Sequence, residues 1–305
     1  RPDPCRMVLR VSLRATLRRR APTLYRDLVR LRHREQLLRR YPDRLTLVSS
    51  LRASEIATVT VTQNVGMGGL LLNAATALNA GRQLGCAVRL RFAAPTYAPS
   101  WAPADWLDDY FVRRSDVPDS GVQLEARDLP GRFVPPWSRW GVLWDAISIR
   151  PEIEALATPI AHGDYAAVHY RGSDKSLEAG RVPESAVLDR LELEMGTRGL
   201  NRLFVASDEP SFIDLASRRF SHSVVETLPV EALASADGAP PHFADVPGEI
   251  KAREALATML VLAGARVCVR TESYLSAWAE TLADARSEFV LVTSGEAWGG
   301  HPQRC

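Results

Sequence analysis

Apolar runs of strand length alternate with helix-length segments along most of this chain. Residues 45–49 and 56–62 are rich in β-branched side chains and predict two strands. A long apolar segment, 70–84, predicts a helix that ends at Gly85, and residues 87–92 predict the next strand. A strand, a glycine-rich turn, a helix and a strand in this order are typical of a parallel sheet.

A second series of the same kind begins near residue 150. Apolar strands are predicted at 165–170, 203–207, 223–226, 267–270 and 289–292. The segments between them have helical patterns, with Pro210 at a predicted helix start. We therefore predict an α/β fold with two Rossmann-like domains facing across a cleft. The expected organisation is a basic extension (1–44), a first domain (45–150) and a second domain (151–305).

Residues 93–145 have no regular pattern, and five of the seven tryptophans lie there. Tryptophans on loops stack against sugar rings or partners, and they also pack beneath long loops. The sequence leaves both interpretations open.

Charge is distributed unevenly, although the net charge is only +2. Residues 1–44 contain 14 arginines and four acids, so the rest of the chain carries −8. Leucines recur at steps of three, four and seven in this segment, which predicts a basic helix. It would either make peripheral contact with a membrane or polyanion, or pack on its own domain. The acidic body and the lack of a recognition motif disfavour nucleic-acid binding.

Cysteine use and hydropathy set the cellular context that we expect. The four cysteines form no CxxC pair, and Cys86 and Cys268 lie in apolar runs, so we predict packing rather than metal or redox roles. No run is long enough to span a membrane, and no signal-peptide pattern is visible. We expect a reduced, cytoplasmic protein, while the sequence leaves open whether a targeting segment precedes residue 1.

Polar clusters follow three predicted strands of the second series. Ligands of parallel α/β sheets bind outside the carboxyl ends of the strands, so these clusters predict a binding site. Asp208 and Ser273 could instead cap helices. The three clusters comprise His169, Arg171, Asp174 and Lys175; Ser207 and Asp208; and Thr271, Glu272, Ser273 and Ser276.

The first cluster predicts the binding of an anion. Arg171 offers a planar fork of donors suited to phosphate oxygens, and Lys175 adds a second cation. Asp174 could orient Arg171 or accept a hydroxyl proton. No HxE, HExxH or DxD motif suggests a metal, so we expect cationic side chains to stabilise a departing diphosphate.

Other nucleotide-binding patterns fit poorly. The loop 66–69 resembles GxGxxG, but Leu71 stands where the third glycine belongs, and no acid ends the next strand. Hydride transfer is therefore disfavoured. The lack of GKT or GKS excludes a P-loop.

Four motifs, in order, resemble those of GDP-fucose-dependent fucosyltransferases over roughly residues 58–285. His169 to Lys175 resembles their HxRRxDK motif, and Ser207 to Pro210 resembles a following T/S-D-D/E-P turn. Thr271 to Ser276 resembles a serine-rich helix start, and Gly66 to Asn73 resembles a G-x-G-N opening. The bacterial nodulation and eukaryotic core α1,6-fucosyltransferases look nearest, with α1,2- and protein O-fucosyltransferases as relatives.

The resemblance implies a GT-B fold and a metal-independent, inverting transfer of fucose from GDP-fucose to a hydroxyl. The donor would bind mainly to the second domain, with Gly68 and Gly69 of the opening motif alongside. Arg171 would hold the β-phosphate, His169 and Asp174 would shape the donor pocket, and Asp208 would contact guanine or hold the Arg171 loop. Ser273 or Ser276 would bind phosphate or ribose, with Ser207 and Thr271 from the same clusters.

Departures from the family pattern leave the sugar and the acceptor open. Gly172 stands where the motif has its second arginine, and Gly69 where the opening motif has asparagine. Glu178, followed by Asp174, is the candidate general base for a glycan, lipid, protein or small-molecule hydroxyl. Another nucleotide sugar, or a GT-B protein that binds a glycan or nucleotide without turnover, remains an alternative.

Overall fold

The computed structural model describes residues 44–101, 104–172, 181–229, 231 and 245–294. The predicted basic helix before residue 44 therefore lies outside the described residues. The described residues fall into two compact units divided after Ala53. The first contributes one helix, Arg44–Ala53, and the second contributes all the other elements described below.

Helices and strands alternate through most of the described residues. The helices are α1 (Arg44–Ala53), α2 (Met67–Leu84), α3 (Leu107–Tyr110), α4 (Val142–Ala146), α5 (Pro151–Ala157), α6 (Glu184–Arg198), α7 (Pro210–Arg219), α8 (Gly248–Gly264) and α9 (Tyr274–Leu282). The strands are β1 (Ile56–Val61), β2 (Ala87–Phe92), β3 (Phe111–Arg113), β4 (Val122–Glu125), β5 (Ile147–Ile149), β6 (Ala166–Tyr170), β7 (Arg202–Ser207), β8 (Val224–Glu226), β9 (Val267–Arg270) and β10 (Glu288–Leu291). None of these helices is long and apolar enough to cross a membrane.

Two parallel sheets confirm the predicted α/β class. The first has the strand order β2-β1-β4, and the second has the order β10-β9-β6-β7-β8. A short antiparallel pair, β3 with β5, forms within the segment 93–150. The sheet order places β6 between β9 and β7, so polar residues that follow these three strands are neighbours.

The central strand β6 is buried along its whole length. Val168 and Tyr170 face a core formed with α6 and α7, where Phe212 stacks on Tyr170 at a centroid distance of 4.2 Å. A strand covered on both faces reads as a continuous apolar run. This explains why the sequence predicted β6 well.

One predicted strand, 45–49, is wrong, because Arg44–Ala53 is helical. Val48 and Leu51, three positions apart, are buried, whereas Ser49 and Arg52 are exposed. This spacing follows the period of a helix and not the alternation of a strand. The first predicted domain therefore begins with a helix, and its boundaries at 45 and 150 stay predictions.

Helix α2 of the first series packs closely on α9 of the second. A side chain at Gly68 would come within 2.7 Å of Tyr274 backbone and Cβ atoms, so the two helices approach at a glycine. The indole of Trp278 donates to the carbonyl of Gly68 at 2.9 Å. Trp140 lies against Trp278 with ring centroids 4.5 Å apart. Aromatic packing and a glycine contact thus join the two sheets.

Candidate active site

The carboxyl ends of β6, β7 and β9 meet through hydrogen bonds to the backbone that follows β6. The N–H of Arg171 donates to the hydroxyl of Thr271 at 2.9 Å, and the N–H of Gly172 donates to Asp208 at 3.2 Å. The N–H of Thr271 donates in turn to the carbonyl of His169 at 3.0 Å. The three polar clusters seen in the sequence therefore form one network.

Asp208 also faces the Arg171 side chain. The Arg171 Nε atom lies 4.0 Å from Asp208 Oδ2, and the carboxylate is buried. Asp208 does not cap the next helix, because the residue at the N-cap of α7 is Glu209. Its carboxylate instead holds both the backbone and the cation of the turn after β6.

His169 is buried beneath this turn, and its environment keeps the ring neutral. Burial, followed by the charges of Arg171 and Arg270, lowers the pKa of His169 to about 3. Arg270, on β9, is opposite His169 of β6 in the sheet register. Its guanidinium forms a buried ion pair with Glu280 at 2.9 Å. A neutral imidazole can offer a ligand one donor and one acceptor, but no charge.

The serines hold the start of α9 and the turn before α7. Ser273 caps α9 by accepting the N–H of Leu275 at 3.3 Å, and the hydroxyl of Ser276 donates to the Ser273 carbonyl at 3.3 Å. Ser207 accepts the N–H of Glu209 at 3.0 Å. Ser273 and Ser276 are buried, and their contact with a phosphate or ribose stays a prediction.

The glycine loop reaches the site region through a tyrosine that the sequence reading missed. The N–H of Met67, at the start of α2, donates to the hydroxyl of Tyr97 at 2.8 Å. Burial raises the pKa of Tyr97 to about 12, while the Met67 N–H and the charge of Arg171 lower it. Gly68 packs on α9, and Gly69 bonds back to the carbonyl of Gly66, so the observed contacts of both glycines are structural. Their donor contacts stay predictions.

Tyr97 was missed because it lies among the irregular residues after β2, although its position past the end of that strand was a usable signal. A second missed pair is Glu209 with Arg181, joined at 2.9 Å between Oε2 and the terminal nitrogen NH2. These residues are 28 positions apart, and no local pattern connects them.

Three of the candidate residues, Asp174, Lys175 and Glu178, lie outside the described residues. The roles of Lys175 as a cation, of Glu178 as the first candidate general base and of Asp174 as the second stay predictions. Among the residues that the structure does describe, no group of histidine, cysteine, aspartate and glutamate is arranged to hold a metal ion.

The loop tryptophans divide between the two interpretations. Trp106 and Trp140 are buried, and Trp144 donates to the hydroxyl of Thr281 at 2.8 Å, so these three pack in the structure. Trp137 lies edge-on to Trp140. Trp101 is 62% exposed, which leaves it available to a partner.

Comparison with solved structures gives similar folds at low identity. The chain is similar to the NodZ α1,6-fucosyltransferase soaked with GDP-fucose, at 14% identity and a TM-score of 0.48, covering 74% of this chain and 92% of that one. Fucosyltransferase NodZ from Bradyrhizobium gives 13% identity over the same shares of the two chains, again with a TM-score of 0.48. POFUT1 in complex with GDP gives 11% identity and a TM-score of 0.48, covering 78% of this chain and 98% of that one. No protein-family model and no curated protein matches the sequence.

Proposed function

We propose that this chain is a glycosyltransferase that transfers fucose, or a related sugar, from a GDP-sugar to a hydroxyl acceptor. The observation that carries the proposal is the anchored position of Arg171 at the end of β6. Thr271 and Asp208 fix the backbone of the turn from the two neighbouring strands, and Asp208 faces the guanidinium. The four ordered motifs supply the choice of donor.

The proposed mechanism is direct displacement with inversion and without a metal. The acceptor oxygen attacks the anomeric carbon as the bond to the diphosphate breaks, and the acceptor proton passes to a carboxylate, for which Glu178 and then Asp174 are the candidates. Arg171 stabilises the negative charge that develops on the leaving diphosphate. His169 stays neutral and shapes the donor pocket without adding charge.

Nucleotide binding tests the proposal first. GDP or GDP-fucose should raise the melting temperature, while NAD and ATP should not, because ligands that bind only the folded state stabilise it. A flat response to every GDP-sugar would remove this donor class. Hydrolysis of the bound donor then separates an enzyme from a protein that binds without turnover, since a glycosyltransferase site usually loses some sugar to water.

Arg171→Ala tests the role of the cation. We expect a loss of roughly 3 kcal/mol of transition-state stabilisation, about a hundredfold or more in kcat, as for loss of one essential donor to a developing anion. Arg82→Ala is the control, because Arg82 forms an exposed ion pair with Asp145. Normal turnover by a folded Arg171→Ala variant would contradict the role.

A further inference from the structure

The space beside Gly172 is filled by a carboxylate from another strand end. A Cβ atom at residue 172 would overlap the Glu209 carboxylate, whose Oε1 is the nearest atom and whose Cδ and Oε2 lie at 2.5 and 2.9 Å, so the carboxylate would have to move. Asp208, the preceding residue, accepts the Gly172 N–H. Two consecutive acids after β7 therefore converge on one glycine.

Each of these two acids faces an arginine. Asp208 faces Arg171, and Glu209 accepts a hydrogen bond from Arg181 at 2.9 Å. The Glu209 carboxylate thus contacts both the Cβ position of residue 172 and the guanidinium of Arg181. That guanidinium lies within the reach of an arginine side chain placed at 172.

Neighbouring contacts fix Arg181 in this place. The hydroxyl of Tyr170, at the end of β6, donates to the carbonyl of Val182 at 3.0 Å and holds the backbone next to Arg181. Glu184, in the first turn of α6, accepts a bond from the same nitrogen of Arg181 as Glu209 does, at 2.9 Å. Burial raises the pKa of Glu209, while the positive charge of Arg181 lowers it.

Both carboxylates bind the nitrogen NH2 of Arg181. The phenol of Tyr170 interacts with the same guanidinium, and about half of the Arg181 side chain is exposed. Carboxylates on one side of a guanidinium orient its other donors towards a ligand. An arginine that is held in one orientation and is half exposed suits the oxygens of a phosphate group.

We propose that Arg181 is a second cation for the diphosphate of the nucleotide, placed where a side chain at residue 172 would otherwise reach. This inference rests on the proposed function, because it assigns a ligand to the same site. Asp208 and Glu209 both contact Gly172, and they pair with Arg171 and Arg181 respectively. Glu209 acts as a positioning residue through Arg181.

The affinity for GDP, measured by calorimetry on the full chain, tests this proposal. Arg181→Ala should weaken GDP binding about tenfold or more, which corresponds to the loss of about 1.4 kcal/mol. Arg219→Ala is the matched control, since Arg219 is likewise held by two carboxylates, those of Asp189 and Glu192. The control should bind GDP like the unchanged protein.

A double variant separates a relocated charge from a structural effect. Gly172→Arg combined with Arg181→Ala should recover most of the lost affinity, because the freed Glu209 can pair with the new arginine. If Arg181→Ala does not fold, Arg181→Gln serves as the single variant, since it keeps a donor for Glu209 without the charge.

The outcomes distinguish this inference from the function on which it rests. If the unchanged protein does not bind GDP, the proposed function fails. If it binds GDP and the folded Arg181 variant binds equally well, the second-cation proposal is overturned while the function stands. A folded double variant that stays weak would also overturn it, because an arginine at 172 should then supply the same charge.

Discussion

At the scale of single residues, the site combines fixed cations with a histidine kept neutral. His169 is buried and lies close to the charges of Arg171 and Arg270, so a proton on its ring would be both desolvated and repelled. This arrangement lets the imidazole form hydrogen bonds at neutral pH without changing the net charge of the site.

His169 should make the protein less stable in acid. Its folded-state pKa is about 3, against an ordinary value of 6.5, so above pH 6.5 the ring is neutral in both states. Below pH 6.5 the unfolded chain binds a proton that the folded protein does not, and stability falls as the pH approaches 3. At pH 4.5 this loss should amount to roughly 2 to 3 kcal/mol relative to pH 7.

Urea unfolding of the protein and of His169→Asn at pH 7 and pH 4.5 measures this effect. The variant cannot titrate at residue 169, so its drop in unfolding free energy between the two pH values should be smaller. His222→Asn, at an exposed histidine, should behave like the unchanged protein. Equal drops in all three proteins would contradict the assignment of the neutral ring.

At the scale of elements, the contact between α2 and α9 depends on one glycine. Gly68→Ala would place a methyl group 2.7 Å from the carbonyl carbon of Tyr274 and 2.8 Å from the backbone nitrogen of Leu275, and backbone cannot rotate away as a side chain can. The helices must separate, so we expect a destabilisation of about 1 to 3 kcal/mol. Because Ser273 caps α9 beside the proposed donor site, GDP affinity should fall as well.

Gly141→Ala is the matched control, because Gly141 has helical backbone angles and nothing within 4 Å of an added Cβ. It should leave stability unchanged or raise it slightly. Chemical unfolding and GDP titration of the two variants give the comparison. Equal stability of Gly68→Ala and the unchanged protein would show that the two helices can move apart at little cost.

Elements with a single strong pattern were predictable from sequence, and those set by distant contacts were not. The buried strand β6 and the end of α2 at Gly85, which has a left-handed φ of 79°, follow from local rules. Residues 45–49 have an apolar pattern that fits either a strand or a helix over so short a run, and there the prediction was wrong.

The candidate site shows the same limit. The sheet-edge rule identified Arg171, Asp208 and Thr271, because each directly follows a buried strand. It could not show that Glu209 fills the space beside Gly172, or that Tyr97 accepts the Met67 N–H, since those contacts join residues far apart in the chain. Gly172, at the position of the motif's second arginine, suggested that one cation is missing. The contacts of Glu209 with Arg181 suggest instead that the cation comes from another position in the chain.

At the scale of the whole molecule, the two parallel sheets should unfold together. Trp140 and Trp144 contact Trp278 of α9, and Trp278 bonds to Gly68 of α2, so the junction is buried and hydrogen-bonded. Separating the sheets would expose these rings and leave the Gly68 carbonyl without its donor. A junction of this kind favours a single cooperative transition.

Hydrogen exchange followed by mass spectrometry in increasing guanidinium chloride tests this cooperativity. Peptides that cover β1 and β6 should lose protection at the same denaturant concentration, although they lie in different sheets. Trp278→Leu should lower both midpoints together, because it removes the bond to Gly68 and the packing on Trp140. Trp101→Leu, at an exposed ring, should change neither. Separate midpoints for β1 and β6 in the unchanged protein would mean that the sheets fold independently and that the aromatic junction only docks them.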